Sequence, residues 1–71
     1  MEAFERYNTV IGEVIGCNSY GCYVRDKETD RVVFYYGNGQ RGDTVQLTIT
    51  RVNLEKEQVT CILDSVLEYA A

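Results

Sequence analysis

The chain has 71 residues, enough for one domain, which we place at 1–71 with its core at about 8–66. Charged residues make up 25% and hydrophobic residues 45% of the chain, the ordinary range of a globular protein. The formal net charge of −4 disfavours non-specific nucleic-acid binding, because phosphate contacts supply most of that affinity.

The start of the chain has no basic-then-apolar signal peptide, and no apolar run approaches the ~20 residues of a membrane span. We therefore expect a cytoplasmic protein without a membrane partner. Within residues 1–7, Ala3, Phe4 and Tyr7 have the spacing of one apolar face of a helical turn, and a frayed terminus is the alternative.

Three strands are predicted in the first half of the chain. Residues 8–17 are rich in β-branched side chains, and Gly12 and Gly16 within them indicate a bend or a bulge. The second strand is predicted at Tyr20–Asp26. A polar hairpin tip then leads to the third strand, Arg31–Tyr36, which consists almost entirely of strand-forming residues.

Two more strands follow a glycine-rich loop at Gly37–Asp43. Apolar and polar residues alternate without a break in Thr44–Thr50, which predicts the fourth strand, and the fifth is predicted at Gln58–Asp64. The tail, Ser65–Ala71, contains residues that favour a short helical turn. The expected inward-facing residues of the last two strands are Val45, Leu47, Ile49, Val59, Cys61 and Leu63.

This order of elements predicts an all-β fold. Short strands at close spacing, without proline and without a long helical period, are typical of a small five-stranded barrel. Closure of the barrel removes the exposed strand edges that a stack of two small sheets would leave.

Aromatic residues concentrate on the second and third strands. Strict alternation would separate Tyr20 from Tyr23, whereas a bend at Gly21 would bring both onto one patch. Phe34 and Tyr36 share one side of the third strand. These rings either pack within the protein or form an exposed platform on which bases stack.

The cysteines and the missing histidine limit the chemistry. A closed zinc site needs four ligands, which Cys17, Cys22 and Cys61 do not supply, so we expect no metal and no cofactor. A disulfide between Cys17 and Cys22 is geometrically allowed, but it is not expected in a reducing compartment. Without histidine, a general base near neutral pH would need a strongly shifted group, so we expect no enzyme.

Four short motifs occur in an order that resembles the S-one type RNA-binding domain, the repeat of bacterial ribosomal protein S-one. They are Gly12-x-Val14, then Tyr20-Gly21-Cys22-Tyr23-Val24, then Gly42-Asp43-x-Val45, and finally Val52-Asn53-Leu54-Glu55. The resemblance spans about residues 8–66. It implies an oligonucleotide-binding (OB) fold that binds single-stranded RNA on the face of strands two and three, with residues from strand five.

The resemblance also implies a set of site residues. Tyr20 and Tyr23 match the two aromatic stacking positions of the family, and Phe34 lies where the family often has a histidine. Asn53 stands at a frequent aspartate and Gln58 near a frequent arginine, so the charged half of the family site is neutral here. The link between strands three and four lacks the family's small helix, and the Phe4/Tyr7 segment or the Val66–Tyr69 tail would cover that end of the barrel.

Basic residues near the strands are the candidates for phosphate contacts. Arg25, Arg31 and Arg51 would hold phosphates or stack on bases. The alternative for Arg25 and Arg31 is cross-strand pairing with acidic residues of the first hairpin tip.

Two functions follow from the sequence. The first is a small OB-fold protein that binds single-stranded RNA weakly or within a larger translation or RNA-metabolism assembly. The second is an acidic protein–protein adaptor or regulator, docked on transcription or translation machinery, that keeps the barrel without binding nucleic acid.

Overall fold

The computed structural model describes residues 8–70 as one closed, five-stranded β-barrel. The strand order around the barrel is β1-β2-β3-β5-β4, and every neighbouring pair is antiparallel except β3 and β5. No helix occurs between residues 8 and 70. The predicted all-β barrel is confirmed. The strands are β1 (Thr9–Cys17), β2 (Gly21–Asp26), β3 (Val32–Tyr36), β4 (Thr44–Asn53) and β5 (Gln58–Glu68).

The barrel interior is filled by alternate residues of the strands. In β4 the predicted alternation holds, with Val45, Leu47 and Ile49 fully buried. In β5 Cys61 is buried, and Val59 and Leu63 pack against the core from partly buried positions, as predicted. The remaining core residues are Val10, Val14, Cys22, Val24, Val33 and Tyr35.

A bulge in β1 lies where the glycines predicted an irregularity. The pairing of β1 with β2 shifts register between Val14 and Gly16, so Ile15 is the extra residue. A β-bulge bends its strand and increases the local twist, which a barrel of few strands requires. Gly12 serves a different purpose, because a Cβ there would collide with the carbonyl oxygen of Arg25.

The tail corrects the sequence prediction of a helical turn at Ser65–Ala71. Strand β5 instead continues to Glu68, where Val66 pairs with Val45 and Glu68 pairs with Thr44. Pairing with β4 gives the backbone its hydrogen bonds and brings Val66 against the core, which outweighs a weak local helix propensity. The predicted apolar face of Phe4 and Tyr7, and residue Ala71, lie outside the described residues.

The loop of residues 37–43 packs against the core residues Tyr35 and Cys22. Tyr35 is fully buried and donates its hydroxyl hydrogen to the carbonyl oxygen of Asn38 at 3.0 Å. The buried carboxylate of Asp43 accepts hydrogen bonds from the backbone N–H of Gln40 at 3.0 Å and of Ala70 at 2.7 Å. The loop is therefore bonded to the core residue Tyr35 and, through Asp43, to the chain just after β5.

Candidate nucleic-acid interface

Four rings converge on the outer wall of β2 and β3. Tyr23 pairs directly with Phe34 across the two strands, and their ring centroids are 4.9 Å apart. Phe34 in turn meets Tyr36 edge-on at 5.0 Å. With Tyr20, which lines the same groove, these residues form what we call the aromatic surface.

The strand period decides which rings face outward. Cys22 and Val24 on β2 and Tyr35 on β3 point into the core, so Tyr23, Phe34 and Tyr36 point out. Tyr36 is 66% exposed and Tyr23 44% exposed, whereas Phe34 is half-buried between its neighbours. The rings are thus available to solvent as a group, and the predicted sharing of one side by Phe34 and Tyr36 is confirmed.

Tyr20 joins this surface because it lies in the turn before β2. The side-chain oxygen of Asn18 accepts hydrogen bonds from the backbone N–H groups of Tyr20 at 2.8 Å and Gly21 at 3.0 Å. This Asx-type turn holds Tyr20 outside the alternation of the strand, and its side chain is 75% exposed. The predicted convergence of Tyr20 and Tyr23 is therefore present in the structure.

Gly21 allows the rings to approach the backbone. A Cβ at this position would lie 2.8 Å from Cζ of Phe34 and would overlap the carbonyl oxygen of Tyr35. The missing side chain gives Phe34 its place over the strand. This is a close approach of an aromatic ring to a backbone that only glycine permits.

A groove of about 490 Å³ extends from the aromatic surface to the start of β5. Its second side consists of Glu57, Gln58, Val59 and Thr60. Strand β5 reaches this position because it pairs with β3 in parallel, with Thr60 opposite Phe34. The groove therefore has aromatic rings on one side and mainly polar residues on the other, an arrangement that suits a stacked base whose edge faces polar groups.

The arginines flank the groove and do not line it. Arg51 pairs with Thr60, which puts it in the same row of the wall as Phe34, one strand beyond β5. Arg25 lies on the outer face of β2 and approaches Asp30 at 3.5 Å, the acidic pairing that the sequence left as an alternative. Both side chains of that ion pair are more than half exposed, so it adds little stability and Arg25 can exchange Asp30 for another anion.

Three further residues of the sequence-predicted site have different placements. Arg31 is exposed in the turn before β3, outside the groove lining. Asn53 is half-buried, and its side-chain oxygen accepts a hydrogen bond from the backbone N–H of Lys56 at 3.1 Å, so it stabilises the turn between β4 and β5. Its strand partner Gln58 does line the groove.

The structure adds residues that the sequence did not assign to the site. Tyr36 had a signal, because it shares a side with Phe34, but it was not carried over from the family pattern. Asn18 and Thr60 complete the groove. Glu57 had no signal: it enters through a left-handed backbone conformation (φ 54°) at the end of the β4–β5 turn.

Cys17 and Cys22 form a disulfide, which corrects the expectation that they stay reduced. The two residues are opposite each other in the β1–β2 register, directly beside the turn that carries Tyr20. Cys61 is free and buried, and burial together with the nearby Asp64 raises the pKa of its thiol to about 12. A thiol with this pKa is a poor nucleophile.

A metal-binding cluster and a membrane-spanning helix are both absent from residues 8–70. The described side chains include no cluster of three or more cysteines, aspartates or glutamates placed to hold a metal ion. Within the same range, no helix has the length and apolar character needed to cross a membrane.

Two solved structures share this fold. An uncharacterised protein from Methanocaldococcus jannaschii matches with a TM-score of 0.72 and 17% identity, over 96% of this chain and 95% of its own. A chain of the a/eIF2alpha–aDim2p–rRNA complex from Pyrococcus horikoshii matches with a TM-score of 0.72 and 16% identity, over 84% of this chain and 44% of its own. At such identities the likeness shows the fold alone. No protein-family model and no curated protein matches the sequence.

Proposed function

We propose that this chain is an S-one type OB domain that binds single-stranded RNA on its aromatic surface, without catalytic activity. The observation that carries the proposal is the convergence of four rings, three of them exposed, beside a groove on the outer wall. Solvent-exposed aromatic clusters of this kind are unusual unless they meet a partner. Base stacking uses the flat ring faces and tolerates any base sequence.

The order of the strands supports the same proposal. The rings come from β2 and β3, and the polar side of the groove comes from β5, the three strands that the S-one resemblance implies. One structural neighbour belongs to a complex that contains rRNA and a translation factor. We therefore propose an RNA partner within a translation or RNA-metabolism assembly.

The charge distribution limits the affinity. Each stacked base contributes about 1–3 kcal/mol, and the flanking Arg25, Arg31 and Arg51 add few phosphate contacts. An acidic domain with a net charge of −4 gains little from general attraction to a polyanion. Binding is expected to be weak and to fall only gradually as salt rises, because few counterions are released.

The first test is a titration of labelled single-stranded RNA at low salt with wild type and Tyr23→Ala. Removal of one stacking ring should weaken binding about tenfold, within the range of one lost stack. Tyr69→Ala is the control, because Tyr69 is also an exposed tyrosine but lies beyond β5 and does not line the groove. Equal affinities of the two variants, or no RNA signal for wild type, would reject the proposal.

The adaptor is the second candidate, and exposed apolar residues away from the groove favour it. Ile62 and Leu67 on β5, and Tyr69 after it, are each at least half exposed. Such residues are available to a protein partner without involving the aromatic surface. If the RNA titration fails, a partner that stays bound after nuclease treatment and in high salt would establish this function instead.

A further inference from the structure

The side of the groove formed by the start of β5 and the turn before it carries one negative charge. Among the described residues that line the groove, Glu57 is the only acidic residue, and none is basic. Its neighbours there are the neutral side chains of Asn18, Gln58, Val59 and Thr60. A base that stacks on Tyr23 and Phe34 would therefore present its edge to a wall with a carboxylate and no cation.

The backbone holds Glu57 at this place. Its φ of 54° is left-handed, and its N–H donates to the carbonyl oxygen of Leu54 at 3.3 Å, which closes the turn between β4 and β5. Gln58 follows directly as the first residue of β5 and pairs with Asn53. Asn53 also fastens the turn through Lys56. The position of Glu57 beside the groove is therefore set by the fold.

A carboxylate discriminates among bases by the hydrogen-bond donors that each base presents. It can only accept hydrogen bonds, and it has two oxygens side by side. Guanine presents two adjacent donors on its Watson–Crick edge, the N1–H and the exocyclic amino group. Cytosine and adenine present one amino group there, and uracil places carbonyl oxygens on both sides of its single N–H. A carboxylate thus fits guanine best and uracil worst.

Resting on the proposed RNA binding, we propose that Glu57 gives the groove a preference for guanine over uracil in single-stranded RNA. The rings supply affinity for any base, and the carboxylate accepts two parallel hydrogen bonds from guanine alone. The same carboxylate repels phosphate, so the sugar–phosphate chain lies away from Glu57. Glu57 is a specificity-determining residue, and its effect is on the choice of base.

The experiment compares a short oligouridine with the same oligomer carrying one central guanosine, cytidine or inosine. Wild type should bind the guanosine oligomer about five- to tenfold tighter than oligouridine, the lower part of the range for a bidentate base contact. Inosine lacks the exocyclic amino group and should lose most of this gain. Cytidine should fall between guanosine and uridine.

Glu57→Gln is the informative variant, and Glu55→Gln is its matched control. Both remove one negative charge from the same turn, but Glu55 does not line the groove. Either variant can raise the affinity for all oligomers through the charge change alone. Only Glu57→Gln should bring the ratio of guanosine to uridine binding close to one.

The outcomes separate this inference from the function on which it rests. Equal binding of guanosine and uridine oligomers to wild type, or a preference that survives in Glu57→Gln, overturns the role of Glu57. In that case the loss of affinity in Tyr23→Ala still supports RNA binding. If wild type binds none of the oligomers, the proposed function and the base preference both fail.

Discussion

The two faces of the β2–β3 ribbon use the same residue types for opposite purposes. Tyr35 points inward, is fully buried and donates its hydroxyl hydrogen to the carbonyl oxygen of Asn38 in the loop of residues 37–43. Tyr36, the next residue, points outward and is two-thirds exposed. One step along a strand therefore separates a ring that stabilises the fold from a ring that is available to a ligand. Composition alone cannot distinguish them.

The largest expected effect comes from Gly21, because both Tyr35 on the buried face and Phe34 on the exposed face lie close to its backbone. In Gly21→Ala, the new Cβ would overlap the carbonyl oxygen of Tyr35 and displace the ring of Phe34. We expect a loss of about 3 kcal/mol in the free energy of unfolding, the upper part of the range for overpacking. Urea unfolding measures it, and Tyr fluorescence reports the displaced surface.

Gly16→Ala is the control for this variant. A Cβ at Gly16 meets no atom within 4 Å, so its effect should stay below about 0.5 kcal/mol. Similar losses for the two glycines would contradict the role of the close approach at Gly21, because the lower flexibility of the unfolded chain with alanine would stabilise the folded state at both positions.

A smaller effect is expected from the disulfide, which joins the buried Cys22 to the exposed end of β1 at Cys17. Cys17→Ser should lower the free energy of unfolding by about 2 kcal/mol, the value for closing so short a loop in the unfolded chain. Thermal unfolding with and without a dithiol reductant measures it. The reductant should lower the melting temperature of wild type and leave that of Cys17→Ser unchanged; a drop in both would contradict the assignment.

The smallest effect is a loss of stability in alkaline solution. Burial and the nearby Asp43 raise the pKa of Tyr35 above 10.0, and burial raises the pKa of Cys61 from 9.0 to about 12. Below about pH 8 both groups are protonated in both the folded and the unfolded chain. Above it the unfolded chain releases protons first, so the stability contribution is lost as pH rises towards the folded pKa values.

Between pH 8 and pH 10 this should remove about 1–1.5 kcal/mol from the free energy of unfolding, most of it through Cys61. Denaturant unfolding across that range measures the slope. Cys61→Ala should be less stable overall but flatter with pH, because only Tyr35 then remains of these two groups. An unchanged slope in Cys61→Ala would assign the pH dependence elsewhere.

The sequence predicted those features that a short stretch of chain determines. The alternation in β4, the bulge near Gly16 and the sidedness of Phe34 and Tyr36 all follow from local patterns, and the structure confirms them. The prediction for the tail was wrong because helix propensity is weak, whereas pairing of Val66 with Val45 depends on a strand about twenty residues away along the chain. A local pattern carries no information about such a partner.

The unpredicted part of the candidate site has the same cause. Thr60 faces Phe34 only because β5 inserts between β3 and β4, and Glu57 reaches the groove only through the turn that precedes β5. The disulfide likewise depends on the exact register of β1 and β2, which places Cys17 opposite Cys22. The family resemblance predicted which strands carry the site. How these strands are placed relative to one another could be seen only in the closed barrel.

The parallel contact between β3 and β5 has a consequence for folding. It joins segments that are distant in the chain, and its ladder, with Phe34 opposite Thr60 and Tyr35 opposite Cys61, is the shortest of the five around the barrel. Closing this seam is an entropically costly step. A ligand that spans the groove contacts both β3 and β5. Binding would therefore suppress transient separation of these two strands, and it should slow amide hydrogen exchange more in β3 and β5 than in the other strands.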